Sequence, residues 1–254
     1  MRWGAISYLE LGRQVDGVSN GYNLDGLTTE EDGADGCGIG DYTSPDGVQG
    51  VDNAMARLIP ALEATEAAAL EPLINQNINI GEVLMLFGIS GLDDPRDDEE
   101  VSVTFVRGFG APIVGSDGRI VSGQTYDRDL DLEPVSVQTG SIVDGVLEAS
   151  GVDVAFPISI FDADPVLDIR DVSLHFEYDE RGDFTGYLGG ALNYQAILDG
   201  LEEAAIDSAL RETLPILFES NADLDADGES CSRLSITMEF EGVNAYLFEP
   251  PELD

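Results

Sequence analysis

The chain contains no lysine. Its 254 residues carry 11 basic side chains, all arginine, against 51 aspartates and glutamates, for a formal net charge of −40 at pH 7. That shortage of positive charge excludes nucleic acid as a partner, because Lys and Arg must neutralise the phosphates. It also works against binding to anionic membranes. Histidine is nearly missing as well, with His175 alone. Zinc or copper would find too few His and Cys ligands. His175 lies in the strand-like run VSLHFEYD, with Ser173 and Glu177 on its face. Such side chains point side by side, whereas a catalytic triad converges from different elements, so His175 reads as a solvent-facing strand residue. No run of about eighteen apolar residues exists, which excludes a transmembrane helix. The N-terminal MRWGAISYLELG alternates like a strand and lacks a basic, then apolar, leader pattern; an exported form would have lost its leader. No phosphate-binding loop appears, and GFG at 108–110 lacks the context of a nucleotide fingerprint.

Cysteine is scarce: there are two, Cys37 and Cys231, in acidic loops near opposite ends of the chain. An even count in such loops predicts one disulfide and an oxidising compartment. The alternative is two free thiols in a reducing one.

What the chain has in excess is carboxylate, concentrated first in 16–53, DGVSNGYNLDGLTTEEDGADGCGIGDYTSPDGVQGVDN. The segment is too polar and too glycine-rich for a core element, and a structureless loop of this length is usually functional or disordered. No Lys or Arg interrupts its acids. Crowding them costs energy unless cations neutralise the charge, and oxygen-rich loops with glycine at the turns suit a hard cation such as Ca²⁺. High salt would screen the same repulsion, so a halophilic or marine source fits the composition.

Around this segment the pattern predicts an α+β fold of one domain, 1–254: a large antiparallel β-sheet with two helical segments packed on it and long acidic loops. Ile6, Tyr8, Leu9 and Leu11 mark a first strand. Asp52 or Asn53 is the expected N-cap of a helix carrying Met55, Leu58, Ile59 and Leu62. Pro60 is expected to kink it, and Pro72 to end or bend the ALEATEAAALE piece that follows. The apolar run at 83–89 and the alternation at 101–107 read as a hairpin. A surface excursion spans 108–134, then antiparallel strands fill 135–194, with DERGD at 179–183 as a turn. Gly189 and Gly190 suggest a bulge or a close backbone approach. Ile197, Leu198, Leu201, Ala205, Leu210, Leu214 and Leu217 predict a second helix with one apolar face. Leu234, Ile236, Met238 and Phe240 predict the last strand.

Between that helix and strand lies DLDADG, residues 223–228. Asp223, Asp225 and Asp227 alternate before Gly228, a spacing that turns successive carboxylates toward one point. The run resembles the start of an EF-hand loop and the calcium loops of thrombospondin type 3 and dockerin modules. It departs from the EF-hand at the ninth position, Cys231, and at the twelfth, where Leu234 replaces the bidentate Glu. The resemblance implies Ca²⁺ as cofactor, with ligands completed from elsewhere. A Cys37–Cys231 bridge would bring Asp25, Asp35, Asp46 or Asp52 to Asp223, Asp225 and Asp227. The segments GYNLDG and SPDGVQGVDNA are also similar to acidic stretches of uncharacterised secreted proteins and lipoproteins of myxobacteria, which implies export.

These observations favour an exported, highly acidic calcium-binding protein with a non-enzymatic binding or structural role. Its expected place is the extracellular space or cell surface, and its expected partners are divalent cations and a basic protein or surface. Two alternatives stay open. One is a glycan-active enzyme working by carboxylates alone, with Asp129/Asp131 or Asp162/Asp164 as pairs; with 51 acids in the chain, such pairs arise by chance. The other is a carrier whose helices and curved sheet enclose a dry pocket lined by Leu, Ile and Phe.

Overall fold

In a computed structural model the described residues are 1–33, 36–132, 134–158, 163, 165–179, 181–202, 204, 206–225 and 231–248. In chain order come β1 (Arg2–Leu11), β2 (Gln14–Val15), β3 (Val18–Ser19), β4 (Tyr42–Thr43) and β5 (Gln49–Val51). Helices α1 (Met55–Glu63) and α2 (Leu70–Ile80) follow, then β6 (Met85–Ser90), β7 (Asp98–Phe109), β8 (Gln124–Arg128) and β9 (Val135–Val143). The rest are β10 (Val146–Pro157), β11 (Val166–Tyr178), β12 (Phe184–Leu192), α3 (Tyr194–Gly200), α4 (Ser208–Asn221), β13 (Leu224–Asp225) and β14 (Cys231–Phe248).

The large sheet is antiparallel, as the alternation predicts, but it is not open. The β1–β14 and β7–β9 pairings close the path β1-β6-β7-β9-β10-β11-β12-β14 into a barrel. Closure removes the free edges that an open acidic sheet would expose. Short β8 runs parallel to the end of β14 and pairs antiparallel with β7. The expected β6–β7 hairpin is present, with Met85 opposite Arg107 and Ile89 opposite Val103. In β1 the register against β14 shifts between Ile6 and Tyr8, which explains why its apolar pattern changes phase there.

Rings of Phe87, Phe176, Phe184 and Phe240 fill the barrel, with Phe87 4.4 Å from Phe184 and 4.8 Å from Phe176 between centroids. Phe184 lies against the bare backbone of Gly242: a Cβ there would fall 1.7 Å from the ring. Gly190 shows the close approach expected of it, since a Cβ would stand 2.6 Å from the Ile169 side chain. The opposing strand shifts register between Arg170 and Ser173.

The helices pack on the same inward face. Met55, Leu58, Ile59 and Leu62 of α1 are buried, as are Leu210, Leu214 and Phe218 of α4. Each helical segment is broken in two. Residues 66–69 form a single 3-10 turn between α1 and α2, and the apolar face expected from Ile197 to Leu217 is split between α3 and α4. Pro60 and Pro215 are accommodated inside α1 and α4. Pro72 falls in the first turn of α2 rather than ending a helix; there it gives up an amide that the helix does not use. Where β6 no longer covers β1, α2 takes over the strand's free edge. Leu9 N–H donates to Asn75 Oδ1 (2.9 Å), Asn75 Nδ2 donates to Leu9 O (2.7 Å), and Leu11 N–H donates to Glu71 Oε1 (2.7 Å). Between helices and barrel remains a cavity of about 90 Å³; a void of that size costs about 2 kcal/mol of stability. Among the described residues no helix is long and apolar enough to cross a membrane.

Candidate functional site

The acidic segment is not a structureless loop. It folds as a small four-stranded sheet, β2-β3-β4-β5, and lies over the outer face of β14. Gly12 N–H donates to Thr237 O (2.7 Å). Asn53, 1% exposed, donates from Nδ2 to Gly12 O (3.2 Å) and Ser19 Oγ (2.9 Å), while its Oδ1 accepts from Thr237 N (3.2 Å). Asn53 is therefore not the helix cap that its position suggests. Ala54 occupies the cap position without a side-chain cap bond, and its N–H donates to Ser235 Oγ (2.6 Å). Ser235 and Thr237, the polar positions of an alternating strand, are fully buried beneath this segment.

Cys37 and Cys231 form a disulfide, the pairing expected from their number and setting. It joins the acidic segment to the start of β14, where Cys231 stands opposite Asp225. Asp223 is 6% exposed. Its Oδ1 accepts from Ser235 N (2.7 Å), and its Oδ2 accepts from Ser235 Oγ. From the other segment comes Asp52, 3% exposed, whose Oδ2 accepts from the N–H groups of Leu24 (2.6 Å) and Asp25 (3.3 Å). Asp41 joins them and accepts Thr29 N–H (2.6 Å).

These carboxyls feel one another. Burial pushes Asp52 up to about 8, against the Leu24 bond, and the charges of Asp25, Asp223 and Asp41 add to the rise. Burial likewise lifts Asp223 to about 6, against the two Ser235 bonds, with Asp41 adding. Asp41 is raised by burial and by Asp25, while a hydrogen bond from Asp52 opposes the rise. That is the pattern of an acid and a carboxylate sharing one proton. Arg57, whose charge acts on Asp41, is held by Glu31 Oε2 (2.7 Å) and Gly40 O (2.8 Å). The Thr29 hydroxyl oxygen is buried with no hydrogen-bond partner among the described residues.

Of the expected ligands, Asp25 and Asp223 lie near enough to Asp52 for their charges to act on it, as does Asp41, which was not among those expected. Asp46 stands apart. It belongs to the turn at 44–48, where Gly47 N–H donates to Ser44 O (2.9 Å), and its charge acts on His175 and Tyr187 instead. Asp35, Asp227 and the side chain of Asp225 lie outside the described residues. Among the described residues no three His, Cys, Asp or Glu side chains stand in ligating geometry. The sequence signal for Asp41 was its place in the same lysine-free run; nothing local separates it from Asp46, because turn geometry decides which carboxylate is buried.

His175 points outward from β11, as expected, but it is not free in solvent. Its ring stacks on Tyr187 (centroids 4.7 Å apart, 15° between planes), and Nδ1 bonds Glu148 Oε1. That bond raises its pKa against burial, with the charges of Glu148, Glu177 and Asp46 adding. Tyr22 of the acidic segment donates to Glu148 Oε2 (3.3 Å) and packs 5.5 Å from Tyr187. The group is a second clasp for the segment, and no sequence motif announced it.

The carboxylate pairs considered for catalysis are engaged structurally where they are described. Asp129 pairs with Arg107 (3.6 Å) and accepts the N–H of Asp131 (3.0 Å). Asp162 and Asp164 lie outside the described residues. An open trough of about 600 Å³ runs along the outer faces of β14 and β12. Its Asp183 accepts from Ser122 Oγ (3.0 Å) and Asn244 N (3.1 Å), and its Glu241 pairs with Arg119 (3.6 Å). Compared with known proteins, the chain matches no family model, no curated protein and no solved structure.

Proposed function

We propose that this is an exported calcium-binding protein with a non-enzymatic, structural or binding role, and that its two acidic segments share one divalent cation. The observation that carries the reading is the burial of Asp52 and Asp223 near enough for the charge of Asp223 to act on Asp52. They are buried carboxyls from segments far apart in sequence, held together beside the Cys37–Cys231 bridge, each with a raised pKa. Burying carboxyls together without a cationic side chain is unfavourable unless they keep protons or take up a cation. Near neutral pH a divalent cation displaces the protons. Ca²⁺ takes six to eight oxygens in flexible geometry. Asp25, Asp41, Asp52 and Asp223 are candidate donors, the Thr29 hydroxyl is another, and Asp35, Asp225 and Asp227 are those the reading needs to complete the sphere. The likeness of 223–228 to EF-hand and thrombospondin-type calcium loops supports the same ion, and the disulfide accords with an oxidising compartment.

Calorimetric titration of the EDTA-stripped protein with CaCl₂ tests the reading. The expected result is saturable heat near one equivalent, release of about one proton at pH 7, and a Tm rise of several degrees. Absence of heat would overturn it. So would an equal Tm rise from NaCl matched for ionic strength, since that result would mean charge screening alone.

A further inference from the structure

The cavity between the helices and the barrel is a site of a different chemical kind. Its wall is wholly apolar, built from β1, β6, β11, β12 and β14 below and from all four helices above, with Leu11, Ile74 and Leu214 among its residues. Main-chain groups at its edge are satisfied elsewhere: Asn75 and Glu71 bind those of Leu9 and Leu11. A water molecule needs two to four polar partners, so this space stays dry. Native interiors pack to crystalline density, and few voids exceed one water; a dry void of about 90 Å³, smaller than the roughly 150 Å³ apolar cavity that takes up benzene, admits a six-membered hydrocarbon ring once its lining side chains shift.

Two further features suit a guest. Met55, Met85 and Met238 all line the space, and methionine adapts its shape to what it touches. Over Ala67 the wall is thin. It is the 3-10 turn at 66–69, which contains no buried residue yet contributes Ala67 to the lining. The turn is held at Thr65, whose Oγ1 accepts the Ala67 N–H (3.1 Å), and at Glu66, which accepts the Asp207 N–H at the start of α4.

We propose that this chamber binds a small apolar molecule of about six carbon atoms, a monocyclic aromatic or a short hydrocarbon, admitted past the 3-10 turn. The site shares no residue with the acidic cluster and does not depend on the calcium reading.

The methionines provide the test. The chain has four; three line the chamber, and the fourth, Met1, is exposed at the terminus. Protein labelled with ¹³C at the methionine methyls is titrated with benzene. The expected result is saturable shifts of the Met55, Met85 and Met238 signals with Met1 unmoved, and a Tm rise of about 3 °C at ten times the dissociation constant. An Ala67→Phe variant, whose ring enters the chamber, is expected to weaken binding at least tenfold while its methionine spectrum stays dispersed. Shifts of all four methyls in linear proportion to benzene, or none, would overturn the proposal. So would unchanged affinity in a folded Ala67→Phe protein.

Discussion

Cys37 and Cys231 are bonded across 194 positions of sequence, with Cα atoms 6.0 Å apart. The bond fixes the acidic segment to the start of β14, where Ser235 binds both Asp223 and the Ala54 N–H and Thr237 donates to Asn53. Both segments are rich in like charge, and among the described residues no ion pair joins one to the other. The covalent link does what opposite charges do in a less acidic protein.

Removing the bond therefore weakens the acidic segment first. Closing so long a loop lowers the entropy of the unfolded chain by an amount worth about 5 kcal/mol at most. The double variant Cys37→Ser, Cys231→Ser is expected to lose 2–5 kcal/mol, roughly, in urea melts. Hydrogen exchange locates the loss. The Leu24 and Thr29 amides, bound to Asp52 and Asp41, exchange faster, while Phe87 and Phe176 in the barrel keep their protection. An unchanged melting midpoint would contradict the bridge.

Stability in EDTA is expected to fall as pH rises from 5 to 8. A carboxyl with a higher pKa in the folded chain holds its proton after the unfolded chain has released it. For Asp52 that window runs from the ordinary 3.8 to about 8, and for Asp223 from 3.8 to about 6. Within it the folded state binds more protons, so each rise in pH favours unfolding, by up to about 1.4 kcal/mol per unit for one group. His175 acts in the same direction. Its raised pKa gives stability that is full below the unfolded value near 6.5 and lost as pH passes the folded one. Asp52→Asn keeps an oxygen for the Leu24 and Asp25 amides and removes the charge. It is expected to flatten the decline and raise stability at pH 8 by about 1–3 kcal/mol. Urea melts at pH 5, 6, 7 and 8 measure both effects, and an equally steep decline in Asp52→Asn would show that Asp52 is not its source.

Local periodicity made most strands readable. Alternation at Leu234, Ile236, Met238 and Phe240 marks an inward face that is buried as expected, whereas at 101–107 Val101 and Val103 are buried, Phe105 is half-buried and Val106, of the other face, is buried too. Barrel closure was not readable, because the β1–β14 and β7–β9 pairings join distant segments and nothing in one strand names its neighbour. The burial of Ser235 and Thr237 was not readable for a related reason. Polar residues alternating with apolar ones signal a solvent face only if nothing folds over it, and here the acidic segment does. Asp52 and Asp223 were legible as candidates from their loops. That Asp41 joins them while Asp46 faces His175 depends on turns whose glycines permit several courses.

Asn53 separates the local reading from the tertiary one. If it capped α1, Asn53→Ser would be nearly neutral, since serine caps as well as asparagine. In the fold its amide instead spans Gly12 O, Ser19 Oγ and Thr237 N at once. A serine hydroxyl is too short to reach all three, so Asn53→Ser leaves at least one buried polar group unpaired, at about 1–3 kcal/mol each. The expected loss is roughly 2–4 kcal/mol in urea melts, with far-UV circular dichroism at the helical minimum unchanged, because Ala54 N–H still bonds Ser235. A change below about 0.5 kcal/mol would restore the capping role and remove the tie between the acidic segment and β14.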